Sequence, residues 1–565
     1  MKKLLVYVVC LSVTTFICHS STEETFMKTS VGTFKGYVRE FEEFGNVYRV
    51  RRFLGVPYAE PPIEDLRFVK PVRKARIDGV YDATQWKPFC IQTVVTLVGK
   101  RRPGLSFNDD EDCLYLNIFA PEKYSDNLPV LIHFHGGGFV IGGSRLYPGD
   151  VLSAYGDIIV VTVNYRLSVW GFLSTGDANL PGNYGLFDQH EAIMWVHDHI
   201  AAFGGDPGRI TVSGHSAGAA SAVYQSLYPK NAGIVKRAIG LSGSITCPWA
   251  FNPEPIKVTK RFAKLVGCNQ EDTKQLADCI RSKPSSELHH ALNDNNGFIT
   301  FPMEFVTTID GEFVPGNPHD LLYGTSSETE PYRLTFEGID LLAGVTSGEG
   351  YMNLDSFCGV NDSNAFTLTR EQLETREIPK IAQIMFGEHV SHSVVKLLIS
   401  EYTNWKDPSS TESVLETFIS MTGDYVFNVH TVKKVMQHAA RNARNTYLYY
   451  FDASTTLHLC NSPDWATKPN HGDELFLLFG FDSKKGLGTF ATPYDAVPKP
   501  WEYDLAKVFL TVFANFIKSG YVCCIMFNII NLIVFIYFIY INNLIMLFLR
   551  SYVSFRLGLF VLRLI

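Results

Sequence analysis

Charge is scarce in this chain of 565 residues: Asp, Glu, Lys and Arg make up 19%. Fifty Lys and Arg stand against 57 Asp and Glu, a net charge of −7, and the cations never cluster into a long block. That excludes a nucleic-acid-binding surface, which needs grouped cations to neutralise phosphates. Cysteine is thin too. Eleven in 565 residues exclude a disulfide-dense miniature scaffold and fit a large secreted protein with a few bridges. There is no internal repeat and no linker rich in Pro, Ser or Gly between about residues 21 and 520. What the chain does have is core material. Hydrophobic residues are 46% of the total, which excludes disorder and low complexity.

The two ends read as separate from the fold. In residues 1–20, Lys2 and Lys3 precede an apolar run from Leu4 to Cys18, with Ser20 and Ser21 following. This is the layout of a secretory signal peptide, and it directs residues 21–520 to an oxidising compartment. At the other end, residues 521–549 carry no charge before Arg550 and a short tail, 550–565. About 20 apolar residues suffice to cross a bilayer as a helix, so one reading is a membrane anchor with residues 21–520 outside or lumenal. The run uses only eight residue types, and Asn528, Asn531, Asn542 and Asn543 interrupt it. Amides are unwelcome in hydrocarbon. The second reading is therefore a mis-spliced tail, translated from A/T-rich non-coding sequence.

Along the body, short apolar runs alternate with helix-like stretches. Pro129–Phe134, Asp157–Val163, Ile210–Ser213, Ala238–Leu241, Leu341–Val345 and Tyr447–Phe451 are each unalternated and bounded by turn residues. Such runs suit strands buried on both faces. Phe187–Ala202 has Ala192, Trp195, Val196 and His199 at helical spacing, with Asp188 expected as its cap. Alternating strands and helices predict an α/β fold, a mostly parallel sheet covered by helices.

Gly214-His215-Ser216-Ala217-Gly218 follows one of these strands and precedes a small-residue helix, Ala219–Leu227. That is the context of a nucleophile elbow. Glycines are needed there because a tight strand-to-helix turn brings backbone against backbone. Serine is a weak nucleophile until a base and an orienting acid activate it. His135-Gly136-Gly137-Gly138-Phe139, directly after another strand, is the kind of glycine loop whose N–H groups can face an oxyanion. His135 and His215 lie near the elbow, but both are read as shaping loops rather than acting as the base.

These motifs carry a specific likeness. Phe203-Gly204-Gly205-Asp206-Pro207, running through Ile210 and Val212 into the elbow, matches the serine-site signature of the type-B carboxylesterases. Glu111-Asp112-Cys113-Leu114-Tyr115-Leu116-Asn117 matches their second signature. Arg52–Ala59 and Gly182–Gln189 resemble two further blocks, so the likeness spans about residues 28–520. The sequence resembles the cholinesterase and carboxylesterase family of α/β-hydrolases. The resemblance implies the α/β-hydrolase fold with long insertions around an active-site gorge. It also implies a triad of Ser216, Glu349 (in Gly344–Gly350) and His471 (in Asn470–Leu475). The chain order of nucleophile, acid and base agrees with that fold. Gly137, Gly138 and Ala217 are the implied oxyanion donors, and no metal or cofactor is called for. The resemblance pairs Cys90 with Cys113 and Cys268 with Cys279, leaving Cys247, Cys358 and Cys460. Asn361-Asp362-Ser363 is the one sequon, so Asn361 is expected to be glycosylated if exposed.

The substrate reading rests on a departure from the family. Cholinesterases place a tryptophan about ten residues before the cysteine of the second signature, where its face holds a quaternary ammonium. Here that position is Pro103, after Lys100, Arg101 and Arg102. Three cations would repel choline. Phe301 and Met303 fall in the segment resembling the acyl pocket and suit a medium-sized apolar acyl group. The expectation is a carboxylesterase acting on neutral, fairly apolar small-molecule esters. Two rivals stand beside it: an adhesion protein that keeps the fold and loses the chemistry, and a lipase with an interfacial lid. A second departure lies at the end. The family pattern continues past Leu505–Gly520 into a polar segment and a last piece of fold, whereas here the hydrophobic segment begins at Tyr521.

Overall fold

The computed structural model describes residues 23–92, 108–123, 126–294, 303–353, 368–441, 443–460, 465–481, 496–522, 535–541 and 544–550. The signal peptide expected over 1–20 lies outside them.

The strands, in chain order, are β1 (Glu24–Thr29), β2 (Gly32–Glu43), β3 (Asn46–Pro57), β4 (Val80–Asp82), β5 (Phe89–Cys90), β6 (Asp109–Asp110), β7 (Tyr115–Pro121), β8 (Leu128–Phe134), β9 (Ile159–Val163), β10 (Gly205–His215), β11 (Val235–Leu241), β12 (Asp340–Thr346), β13 (Thr446–Asp452), β14 (Phe535–Ile541) and β15 (Leu544–Arg550). β5 and β6 pair with each other. The other thirteen form one sheet in the order β1-β2-β3-β7-β9-β8-β10-β11-β12-β13-β15-β14, with β4 beside β2.

The sheet has two characters. From β9 through β8, β10, β11, β12 and β13 every neighbouring pair is parallel. β1, β2, β3 and β7 add on antiparallel at one side. The parallel strands are those whose sequences are apolar without alternation, and every residue of β8 and β9 is buried. Strands in the middle of such a sheet are covered on both faces by the crossover helices, so both sets of side chains must be apolar. This is the α/β-hydrolase fold: a mostly parallel sheet flanked by helices. Its two faces pack separate cores. One gathers Trp195, Phe203, Tyr224 and Phe262, and the other Phe476, Phe509, Phe513 and Phe516.

One helix boundary differs from expectation. The helix read as Phe187–Ala202 runs from Tyr184 to His199 and continues as a 3₁₀ turn, Ile200–Phe203. Asn183 precedes it, so Asp188 lies inside the helix and is not its cap. Asp188 faces Arg166 instead, at 2.8 Å from Nε and 2.7 Å from Nη2, and accepts the Arg166 backbone N–H at 3.0 Å. A fully buried carboxylate is tolerated where a bidentate guanidinium pairs it.

In the C-terminal hydrophobic segment, β15 pairs parallel with β13 over seven residues, and β14 pairs antiparallel with β15. The described parts of that segment are extended rather than helical. Among the described residues, no helix is long and apolar enough to cross a membrane.

Candidate active site

Ser216 sits between the end of β10 and the helix Ala217–Leu227, at φ 58°, ψ −120°. Positive φ is strained for any residue with a Cβ, by about 1–3 kcal/mol at such sites. The turn is held by the Ser216 N–H, which donates to Leu241 O at 2.9 Å, and by the Ala219 N–H, which donates back to Ser216 O at 2.9 Å. Its glycines are sterically required. A Cβ on Gly214 would fall on the Gly218 backbone, and a Cβ on Gly218 would fall on Phe134 O of β8. The motif therefore brings three backbones together and leaves one buried serine at the head of a helix.

β12 ends at Thr346, and Glu349 follows in the next turn. β13 leads toward the loop that carries His471. Folding brings these distant segments into contact: His471 Nδ1 lies 2.5 Å from Glu349 Oε2. The other carboxylate oxygen, Oε1, accepts the Ser242 hydroxyl at 2.5 Å and the Thr346 N–H at 2.8 Å. Both members of the pair are buried. The His471 N–H donates to Asn470 Oδ1 at 2.7 Å, and Asn470 N–H donates to Asp473 Oδ2 at 2.7 Å, which shapes the loop. With Nδ1 turned to the carboxylate, the remaining ring nitrogen is Nε2. It is buried and has no hydrogen-bond partner among the described residues, Ser216 Oγ included.

The glycine loop lies against the elbow. A Cβ on Gly136 would stand 2.7 Å from His215 O and 3.2 Å from Ser216 Cβ. Gly137 and Gly138 adopt φ 111° and 62°. Gly137 O accepts the Val140 and Ile141 N–H groups, each at 3.0 Å, so the loop is fixed from behind. Ala217 opens its helix, where the first N–H groups have no intrahelical acceptor. His135 is turned away: its ring stacks on Tyr165 at 4.3 Å, and burial pushes its pKa down to about 4.

Met303 rests on Gly138, where a Cβ would collide with its sulfur. Phe301, Asn361, Cys358 and the Lys100–Pro103 stretch lie outside the described residues. The structure adds residues that sequence reasoning missed. Phe427 stacks on His471 with ring centroids 4.2 Å apart, and Trp249 lies 5.7 Å from Phe427 and 6.4 Å from Phe139. Aromatic rings thus lie beside the His471 imidazole, and Met303 lies at the glycine loop. Ser242 was missed too. It follows β11 in an ordinary Leu-Ser-Gly-Ser run, and only the folded contact reveals it.

Behind the acid lies a second buried carboxyl. Glu474 Oε1 accepts the Tyr449 hydroxyl at 3.0 Å. Burial, then the neighbouring Glu349 charge, pushes its pKa up to about 8. Cys90 pairs with Cys113 and Cys268 with Cys279, as the resemblance implied. Cys247 is a buried thiol whose pKa burial pushes up to about 12. Among the described residues, no group of three or more His, Cys, Asp or Glu side chains is placed to hold a metal ion.

A serine on a strained strand-to-helix turn, a glycine loop against it and a buried carboxylate–imidazole pair define the α/β-hydrolase class. Comparison with known proteins narrows this. The profile of the Carboxylesterase family matches residues 23–522, and the chain belongs to that family. Bile salt-activated lipase of Bos taurus is 33% identical over 510 residues, covering 87% of this chain and 78% of that protein. Bile salt-activated lipase of Homo sapiens is 34% identical over 486 residues, covering 83% of this chain and 59% of that protein. Neuroligin-2 of Homo sapiens is 32% identical over 541 residues, covering 88% and 61%.

Proposed function

We propose that the protein is a serine carboxylic-ester hydrolase of the secretory pathway that cleaves neutral, fairly apolar esters through an acyl-enzyme. The observation that carries this reading is the buried His471–Glu349 pair at 2.5 Å, with the other imidazole nitrogen unpartnered among the described residues. A chain kept only for binding has no need to bury a carboxylate–imidazole pair behind a strained serine. The two disulfides support an oxidising compartment.

The chemistry follows from the positions. His471 Nε2 takes the Ser216 proton as Oγ attacks the ester carbonyl. Glu349 holds the imidazole with Nδ1–H toward it and offsets the charge the ring gains. Ser242 and Thr346 fix the carboxylate in turn. The N–H groups of Gly137, Gly138 and Ala217 receive the oxyanion, in a site where few competing waters weaken them. The imidazolium then returns its proton to the leaving alcohol, and water repeats the sequence on the acyl-enzyme. Met303, Trp249 and Phe427 form the acyl-side wall, which favours apolar chains.

Hydrolysis of p-nitrophenyl esters of rising acyl length, by the wild type and by Ser216→Ala, tests this. The wild type should turn them over with a burst of nitrophenol and the variant should not. Equal rates from both, or none from either, contradict the reading. The lipase relatives favour a second substrate range within the same chemistry, long-chain acylglycerols. Turnover of an emulsified long-chain triglyceride distinguishes it from plain esterase activity.

A further inference from the structure

His215, the second residue of the elbow motif, is left without a role by this mechanism. Its ring lies 4.3 Å from the His471 ring, tilted by 44°. It is buried, and its Nε2 has no hydrogen-bond partner among the described residues. Its backbone belongs to β10, yet its side chain reaches two other segments. A Cβ on Gly136 of the glycine loop would stand 3.1 Å from His215 Nδ1. A Cβ on Gly472, next to the base and at φ +83°, would stand 2.9 Å from His215 Cε1 and 3.0 Å from Nε2. One imidazole is thus wedged between the loop expected to hold the oxyanion and the loop that carries the base. Both loops have a glycine where the ring comes closest.

We propose that His215 is a positioning residue: an imidazole that spaces the glycine loop from the base loop and seats His471 against Ser216. The inference rests on the serine-hydrolase reading above. The argument is geometric first. A carboxylate fixes one nitrogen of His471, but a single contact leaves the ring free to swing about it. Phe427 at 4.2 Å and His215 at 4.3 Å confine the ring, so Nε2 meets the serine at a set place. Misplacing such a group by about 1 Å can lower a rate about 10²-fold. Charge matters as well. The titratable groups facing His215 are His471, with Glu349 behind it, and His133 on β8. His471 becomes a cation in the transition state, and a second cation stacked on it would be repelled. Burial, then His471 and His133, hold the His215 pKa well below the ordinary histidine range, so it stays neutral where the enzyme works.

The experiment measures kcat and KM for p-nitrophenyl butyrate from about pH 5 to about pH 9, after fluorophosphonate labelling of the wild type. Failure of the wild type to label overturns the serine-hydrolase reading itself and this inference with it. If the wild type labels, H215A should lower kcat about 50-fold with KM changed less than about threefold, and the planar neutral H215Q should recover most of the loss. H215E should move the acid limb of kcat/KM upward by about one pH unit, because a carboxylate against the base favours the imidazolium. A side chain that only held the fold would lower the yield of labelled enzyme and leave kcat per labelled site unchanged. Overturning results are a kcat for H215A within about threefold of wild type, or an H215E acid limb that coincides with the wild-type limb. Should H215A fail to fold, H215S is read by the same kcat and KM limits.

Discussion

Ser216 holds its hydroxyl in a positive-φ backbone conformation that few serines adopt, and in the proposed mechanism Glu349 and His471 act only through it. Replacing Ser216 by alanine should lower kcat about 10⁶-fold, as loss of the nucleophile does in such triads. The support of the acid is a finer test. Ser242→Ala removes one of two donors to Glu349 Oε1, and a hydrogen bond to a charged group is worth about 1.5–3 kcal/mol. We expect kcat about tenfold lower and KM nearly unchanged, measured by steady-state kinetics. Glu474 makes a stability prediction. Its folded pKa of about 8 stands above its ordinary 4.5, so between those values the folded protein holds a proton that the unfolded chain releases. Stability from this group is present below about 4.5 and is lost as pH rises through about 8. Glu474→Gln should therefore flatten the fall of the unfolding midpoint across that window. An identical slope in both proteins would contradict it. At this scale the sequence was informative where a motif was tight. The Ser216 turn and the Glu349–His471 contact were legible because glycines or a signature bracket each residue. Phe427 and Trp249 were not, since an aromatic residue in a helix or loop has no local mark of the imidazole it touches.

The parallel strands were legible as elements because burial on both faces forces an unbroken apolar run, as in β8 and β9. Their ends were less so. β10 extends from Gly205 to His215 although only its middle reads as apolar, since Gly205 pairs with Leu128 and the ladder resumes at Ile210 after a break in register. Asp188 misled for a related reason: an acidic residue near a helix start normally caps it, and the buried Arg166 that claims it is remote in sequence. The disulfides act at this scale. Cys268–Cys279 links residues 11 apart at the end of one helix and within the next, Pro255–Leu265 and Thr273–Arg281. Replacing both cysteines by serine should lower stability by about 3 kcal/mol, read from denaturant unfolding. Hydrolysis should persist in the folded variant, because the bridge is not part of the Glu349–His471 pair.

Over the whole molecule, the last strands raise the sharpest question. An uncharged run can be a membrane helix or buried strands, and hydropathy alone does not separate them. In the fold, β15 covers the edge of β13 and β14 covers β15. Removing residues 523–565 would expose the edge of β13, with a row of unpaired backbone groups and neighbouring apolar surface. The truncated protein should then aggregate, read by light scattering after secretion. A monodisperse, fully active truncated enzyme would instead mean that the segment works outside the fold, as an anchor does.

The central claim is that these distant residues assemble into an activated serine. It is tested most directly by treating the full-length protein with a tagged fluorophosphonate and locating the adduct by mass spectrometry. Labelling confined to the Ser216 peptide, lost in Ser216→Ala and strongly reduced in His471→Ala, is the expected result. No adduct on the folded wild-type protein, or an adduct on another serine, would contradict it.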